Sequence, residues 1–117
     1  MHPYYHSVSS VRKWGGKVDD YLYIHSWFDE SKRFHADFRH RAYRHHAEGI
    51  FACEREFGTT IENSDGKVVP VRYIGEQHVQ EDLGRIPSIG DWLSCIKVEQ
   101  WMTRVAVTSR ELMKEET

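Results

Sequence analysis

The stretch SKRFHADFRHRAYRHHAEGIFACEREF, residues 31–57, decides the predicted fold. Ser31 is a residue type that caps helix N-termini, and Gly58 is a residue type that ends helices. At about 100° per residue, one side of a helix over this stretch collects its small and apolar residues. Those residues are Phe34, Phe38, Ala42, Gly49, Ala52 and Cys53. The pattern predicts one long helix over residues 31–57 that packs this side against the core.

Weaker patterns surround the long helix. Asp19 can cap a helix over residues 19–29 that places Tyr21, Ile24, His25 and Phe28 on one face. Residues 59–73 are typical of a β-hairpin, because Asp65 and Gly66 suit a tight turn between β-branched runs. Two short helices, over residues 76–83 and 87–96, follow the hairpin. The predicted fold class is mainly α with a small β-hairpin.

Domain boundaries follow from the same patterns. The chain has 117 residues, a length that suits one hydrophobic core. Residues 1–17 mix Pro, Ser, Gly and aromatic residues without a period, which predicts an irregular N-terminal arm packed on the domain. Residues 18–103 are predicted to form a single compact domain, and residues 104–117 a C-terminal tail that is partly frayed.

Composition narrows the function classes. The 16 basic and 18 acidic residues give a formal charge of −2, so charge gives no reason to expect nucleic-acid or membrane binding. A signal peptide and a long apolar stretch are both missing, which predicts a cytoplasmic protein. Cys53 and Cys95 lack a C-x-x-C spacing and are expected to be buried, reduced thiols. The many aromatic residues suggest an exposed apolar patch and hence a homodimer.

The 8 histidines are the unusual feature of the composition. In the predicted long helix, His35 and His46 lie eleven residues apart, close to three full turns, and border the core side. A second stripe on the same helix holds Asp37, Arg41, His45 and Glu48. This projection turns His40 further toward solvent, and its role is the least defined.

A second cluster surrounds His78, which has Glu81 and Asp82 three and four residues later. Mixed imidazole and carboxylate donors suit zinc, manganese, iron or nickel. The candidate metal ligands are therefore His35, His45, His78, Glu81 and Asp82, and His25 with Asp29 could join them. Arg39 and Arg41 are candidate anion-binding residues.

Each of these candidates also has a structural interpretation. A helical histidine is more often a surface residue, or a buried one that is hydrogen-bonded, than a ligand. The arginines can equally form a solvated helix face paired with Asp37 and Glu48. An H-E-x-x-H motif is absent, so the metal interpretation depends on distant segments meeting in space.

Several motifs in order resemble a known group of sequences. These are HSWFDESK at 25–32, DFRHRA at 37–42, GIF at 49–51, FG at 57–58, NSDG at 63–66, VR at 71–72 and EQHVQEDLGRIP at 76–87. Together they resemble an uncharacterised family of small proteins from bacteria and their phages, over about residues 5–102. The resemblance implies a bacterial or phage setting in the cytoplasm. It implies no activity, ligand or catalytic residue.

Two functions remain open from the sequence. The first is a non-enzymatic binding module, for example a phage-encoded inhibitor or sequestering protein that acts on a host protein or a small nucleotide. The alternative is a metal-binding protein with metal-dependent hydrolase activity on phosphoesters or nucleotides. In the alternative, the ion activates water and Arg39 or Arg41 neutralises phosphate charge.

Overall fold

The structure is a computed structural model that describes residues 1–105. Helices α1 (Pro3–Trp14), α2 (Asp19–Asp29), α3 (Arg41–Arg44) and α4 (Ala47–Phe57) come first along the chain. The hairpin strands β1 (Thr60–Glu62) and β2 (Val68–Pro70) follow, and then α5 (Val71–Leu83) and α6 (Ile89–Leu93). Short 3-10 turns span Glu30–Arg33, Phe38–His40 and Gln100–Thr103. The protein is mainly α-helical with a small β-hairpin, as the sequence predicts.

The core lies where α1, α2, α4 and α5 meet. Its buried apolar side chains are Tyr21, Ile24, Phe28, Ile50, Cys53, Val69, Val71, Ile74 and Val79. The hairpin is antiparallel and pairs Ile61 with Val69, so Val69 points inward and joins this core. Within residues 1–105, no helix is both long and apolar enough to cross a bilayer.

The predicted irregular arm is wrong, because residues 3–14 form helix α1. Pro3 occupies the first turn, where its missing N–H costs nothing, and the His2 side chain accepts a hydrogen bond from the Tyr4 N–H. The buried face of α1 carries His6, Ser7 and Ser10. Because that face is polar, an apolar period could not reveal the helix.

The predicted continuous helix over residues 31–57 is also wrong. Residues 34–37 and 45–46 interrupt it, and only α4 is a full helix within that range. Two side chains cap new helical starts: the Asp37 carboxylate accepts from the Arg39 N–H, and His46 Nδ1 accepts from the Gly49 N–H. Phe34 and Phe38, assigned to the core side, are 64% and 66% exposed.

Smaller corrections concern the second half of the chain. The second strand ends at Pro70, and α5 begins at Val71 rather than at residue 76. The last helix spans only Ile89–Leu93, shorter than predicted. Arg104 and Val105 are exposed, and the rest of the predicted tail, residues 106–117, lies outside the described residues.

Gly49 fixes how the chain enters α4. It is buried, and a Cβ atom at this position would overlap the backbone carbonyl of Arg44. We expect Gly49→Ala to lower the free energy of unfolding by about 1–3 kcal/mol, because backbone must shift to make room. Gly90→Ala in α6 is the matched control, since its Cβ would make only an ordinary contact with Ser88. Urea unfolding of both variants checks this, and equal stabilities would contradict it.

Candidate metal centre

Four side chains from separate parts of the chain place one ligand atom each at a common point. Asp29, His45, His78 and Asp82 have ligand atoms that all lie within 4.8 Å of one another. We call this set the four-donor centre. His45 Nε2 lies 3.2 Å from His78 Nε2 and 2.9 Å from Asp82 Oδ2. His78 Nε2 lies 3.4 Å from Asp82 Oδ2, and Asp29 Oδ1 lies 3.5 Å from each imidazole nitrogen.

Local structure explains how these donors converge. His78 and Asp82 are four residues apart on α5, so they project from one face of that helix. Asp29 is the last residue of α2. His45 lies between α3 and α4 with a non-helical ψ of 69°, and its carbonyl accepts a hydrogen bond from the Trp92 indole at 3.0 Å.

The four-donor centre is closed to solvent. The side chains of His45 and His78 are 0% exposed, that of Asp82 is 2% exposed and that of Asp29 is 6% exposed. His78 is sandwiched between two rings, with centroids 3.8 Å from His6 and 4.7 Å from Phe28. Charged groups at this depth are stable only when they are paired or coordinate a metal.

A hydrogen-bonded chain fixes the tautomer of His78. Ser10 Oγ donates to Gln77 Oε1 or to the His6 carbonyl, and both can only accept. Ser10 Oγ must then accept from His25 Nε2–H, at 2.8 Å. His25 Nδ1 is therefore a bare acceptor, and it takes the Nδ1–H of His78 at 2.9 Å. This leaves His78 Nε2 as the atom that a neutral ring offers to the four-donor centre.

Asp82 is oriented by a second histidine. His6 Nε2 lies 3.1 Å from Asp82 Oδ1, while Oδ2 of the same carboxylate faces the four-donor centre. His6 Nδ1 lies 2.8 Å from Glu81 Oε1. Glu81 also accepts from Ser9 Oγ at 2.5 Å and from Gln77 Nε2 at 2.9 Å. Outer hydrogen bonds of this kind orient carboxylate and histidine ligands in metal sites.

Burial and pairing shift the ionisation of these groups in opposite directions. Burial and the neighbouring His78 lower the pKa of His25 to about 2, which keeps His25 neutral. Burial also lowers the pKa of His45, despite its hydrogen bond to Asp82. For His78, burial acts in the same direction, but hydrogen bonds to Asp29 and Asp82 outweigh it and raise the pKa. Burial raises the pKa of Asp82, but hydrogen bonds from His45, His6 and His78 outweigh it, so Asp82 is ionised.

Two atoms of the four-donor centre have no hydrogen-bond partner among the described residues. These are Asp29 Oδ2 and His45 Nδ1; both are buried, and neither is the atom that its residue turns toward the other donors, which are Asp29 Oδ1 and His45 Nε2. The nearest cation to Asp29 Oδ2 is Lys32 Nζ at 3.9 Å, beyond hydrogen-bond distance. The carboxylates of Asp29 and Asp82 turn Oδ1 and Oδ2, respectively, toward the same two imidazole nitrogens, and Asp82 Oδ1 pairs with the N-terminal ammonium of Met1 at 3.2 Å. A divalent cation at that point would pair with both carboxylates. These buried His and Asp groups can hold a metal ion.

The structure brings together only part of the predicted site. His45, His78 and Asp82 meet as the sequence analysis required. His35 does not: it lies in the exposed loop before Asp37, with its ring 6.1 Å from that of Tyr43. Glu81 contacts His6 rather than the four-donor centre. The break in the predicted long helix explains the error for His35, because the helical projection does not apply there.

The predicted anion-binding arginines are also placed elsewhere. Arg39 is exposed and forms a bidentate pair with Asp37, with Nη2 2.8 Å from Oδ2. Arg41 is half-buried, and its Nε has no hydrogen-bond partner among the described residues. Neither arginine pairs with a residue of the four-donor centre.

Asp29, which the sequence analysis names only as a residue that could join the ligands, belongs to the four-donor centre, and His6, which it does not name, orients Asp82. The spacing of His25 and Asp29, one helical turn apart on α2, is a sequence signal for Asp29. His6 carries no such signal, because its helix has a polar buried face.

Comparison with known proteins gives one match. No curated protein and no solved structure matches the chain significantly. The sequence model of one family, described as the domain of unknown function DUF6915, matches residues 1–102, which include every residue of the four-donor centre. The predicted resemblance to an uncharacterised family is confirmed: the chain belongs to the DUF6915 family of domains of unknown function.

Proposed function

We propose that the protein binds one divalent transition-metal ion at the four-donor centre. The carrying observation is the spacing of the donor atoms, of which five separations fall between 2.9 and 3.5 Å. Ligand atoms about 2.0–2.1 Å from a tetrahedral ion lie about 3.3–3.4 Å from one another. A cation can therefore bind among these atoms with little rearrangement of the backbone.

The donor chemistry supports the same proposal. Two imidazole nitrogens and two carboxylate oxygens suit zinc, manganese, iron or nickel better than calcium or magnesium, which prefer all-oxygen sites. The tautomer of His78 is already fixed by His25, and Asp82 is already oriented by His6. Such preorganisation reduces the conformational entropy that the side chains lose when they bind the ion.

The closed geometry favours a non-enzymatic role over the hydrolase alternative. Four protein donors satisfy a tetrahedral ion, whereas a catalytic ion keeps a position open for water or substrate. The hydrolase alternative also places Arg39 or Arg41 beside the phosphate, whereas Arg39 pairs with Asp37 at the surface and neither arginine pairs with a residue of the four-donor centre. We propose that the ion stabilises this fold as a binding module. The host protein or nucleotide partner, the homodimer, the cytoplasmic location and the bacterial or phage origin stay predictions from the sequence.

Metal content of ligand variants tests the proposal. Untagged protein, dialysed against zinc and then against metal-free buffer, is expected to retain about one ion per chain by plasma mass spectrometry. His45→Gln and Asp82→Asn each remove one donor at nearly constant shape, so both are expected to lose the ion. His35→Gln is the matched control and should retain it, because His35 is exposed and distant from the centre.

Circular dichroism spectra establish that each variant is folded. Wild-type metal content in both ligand variants would show that the proposed donor set is wrong. A folded wild-type protein that retains neither zinc, manganese, iron nor nickel would overturn the metal proposal and make the histidines purely structural.

The ion should also be linked to stability. A ligand that binds only the folded state adds about 2.7 kcal/mol when its free concentration is 100 times Kd. We therefore expect zinc to raise the Tm of metal-free wild-type protein and a chelator to reverse the rise. The same zinc addition should leave the Tm of Asp82→Asn nearly unchanged. A Tm of the wild type that does not respond to metal would contradict a structural ion.

A further inference from the structure

His40 is a buried histidine that directly follows an exposed loop. Residues 32–39 are all exposed, whereas His40 is only 4% exposed. Three hydrogen bonds hold it in place. Ser31 Oγ donates to the His40 carbonyl at 2.9 Å, and the Asp37 carbonyl lies 2.6 Å from His40 Nδ1 and accepts the His40 backbone N–H at 3.2 Å. The loop thus turns a single imidazole into the interior beside Asp29.

Within residues 1–105, the second nitrogen of His40 has no hydrogen-bond partner. A carbonyl oxygen can only accept, so His40 Nδ1 carries the hydrogen, and Nε2 of the neutral ring has a free lone pair. Nε2 is buried without a hydrogen-bond partner among the described residues, and it lies 3.4 Å from Asp29 Oδ1. Two electron-rich atoms this close together in a closed site repel each other unless a cation or a proton lies nearby.

Metal-binding histidines commonly show this arrangement. Their non-ligating N–H donates to a backbone carbonyl or a carboxylate, which fixes the tautomer and aims the other nitrogen at the ion. His40 has the backbone-carbonyl form of this contact, and its free nitrogen lies 3.4 Å from a carboxylate oxygen of the four-donor centre.

We propose that His40 is a fifth ligand of the ion held by Asp29, His45, His78 and Asp82. This inference rests on the proposed function, because without an ion at the four-donor centre His40 has nothing to coordinate. His40 stands just outside the group whose ligand atoms share the 4.8 Å limit. An inward movement of the exposed loop 32–39 brings Nε2 into the coordination sphere once an ion is bound.

The fifth ligand changes which ions the centre accepts. Three imidazoles and two carboxylates form a mixed nitrogen and oxygen set of the kind that iron, manganese, cobalt and nickel bind, in addition to zinc. With five protein ligands, the ion is held more completely than a tetrahedral zinc ion would require. The loop then covers the ion on the side facing His40.

Cobalt(II) titration tests the role of His40, because the visible spectrum of cobalt reports its coordination number. Wild-type protein is expected to bind one equivalent. His40→Ala should still bind one equivalent, at least about tenfold more weakly, with a spectrum shifted from five-coordinate toward four-coordinate cobalt. His40→Gln provides a second variant in case the alanine variant does not fold. His35→Ala, a histidine change in the same loop, should match the wild type in both affinity and spectrum.

Each other outcome overturns the inference in a distinguishable way. Wild-type affinity and spectrum in folded His40 variants would show that His40 is not a ligand, while the metal-binding proposal would stand. Weaker binding with an unchanged spectrum would place His40 outside the coordination sphere. Two equivalents in the wild type and one in the His40 variants would mean a second ion. Failure of the wild type to bind cobalt would contradict both this inference and the metal-binding proposal.

Discussion

The structure depends on one buried ring, that of His78, whose two nitrogens are both engaged. Its Nδ1 bonds His25 on α2, and its Nε2 meets Asp29, His45 and Asp82. The ring faces are covered by His6 from α1 and by Phe28 from α2. One side chain on α5 thereby connects α1, α2 and the turn before α4. Removing the ring would leave several buried polar groups without partners, which is far more costly than losing one hydrogen bond.

This interior is unusually polar for so small a domain. Among residues 1–105, twelve buried side chains are polar or charged and nine are apolar, so hydrophobic burial alone has little surface from which to stabilise the fold. Buried polar groups stabilise a fold only when they are hydrogen-bonded or ion-paired. Four buried side-chain atoms of the described chain lack a hydrogen-bond partner, and three of them belong to Asp29, His40 and His45. A cation at the four-donor centre would pair with the carboxylates of Asp29 and Asp82 and would cross-link α2, α5 and the turn at His45, so that its binding would be coupled to folding.

The sequence predicts those parts of the fold that rest on local periodicity or turn chemistry. The apolar face of α2 and the Asp65-Gly66 hairpin follow from such patterns, as does the shared face of His78 and Asp82 on α5. The breaks at Asp37 and His46 do not, because side-chain caps that compete with the helix produce them. The sequence does not predict helix α1 for another reason. Its buried face carries His6, Ser7 and Ser10, so the helix shows no apolar period, and only its contacts with other segments explain why that face is buried. The spacing of His25 and Asp29 marks Asp29 as a candidate, but its meeting with His45, His78 and Asp82 depends on contacts between residues distant in sequence, which no spacing rule encodes.

The same helix breaks, at residues 34–37 and 45–46, make the predicted long helix wrong and bring the donor side chains together. In a continuous helix over residues 31–57, His40 and His45 would be five residues apart and would point about 140° away from each other. The turn at His45, with its ψ of 69°, and the cap at His46 instead release both rings toward Asp29, at 3.4 and 3.5 Å. The Asp37 carbonyl that fixes the His40 tautomer lies in the 3-10 turn that replaces the continuous helix, where it also accepts the His40 backbone N–H at 3.2 Å. The donor arrangement therefore requires the helix to be interrupted, although residues 31–57 show a helical pattern.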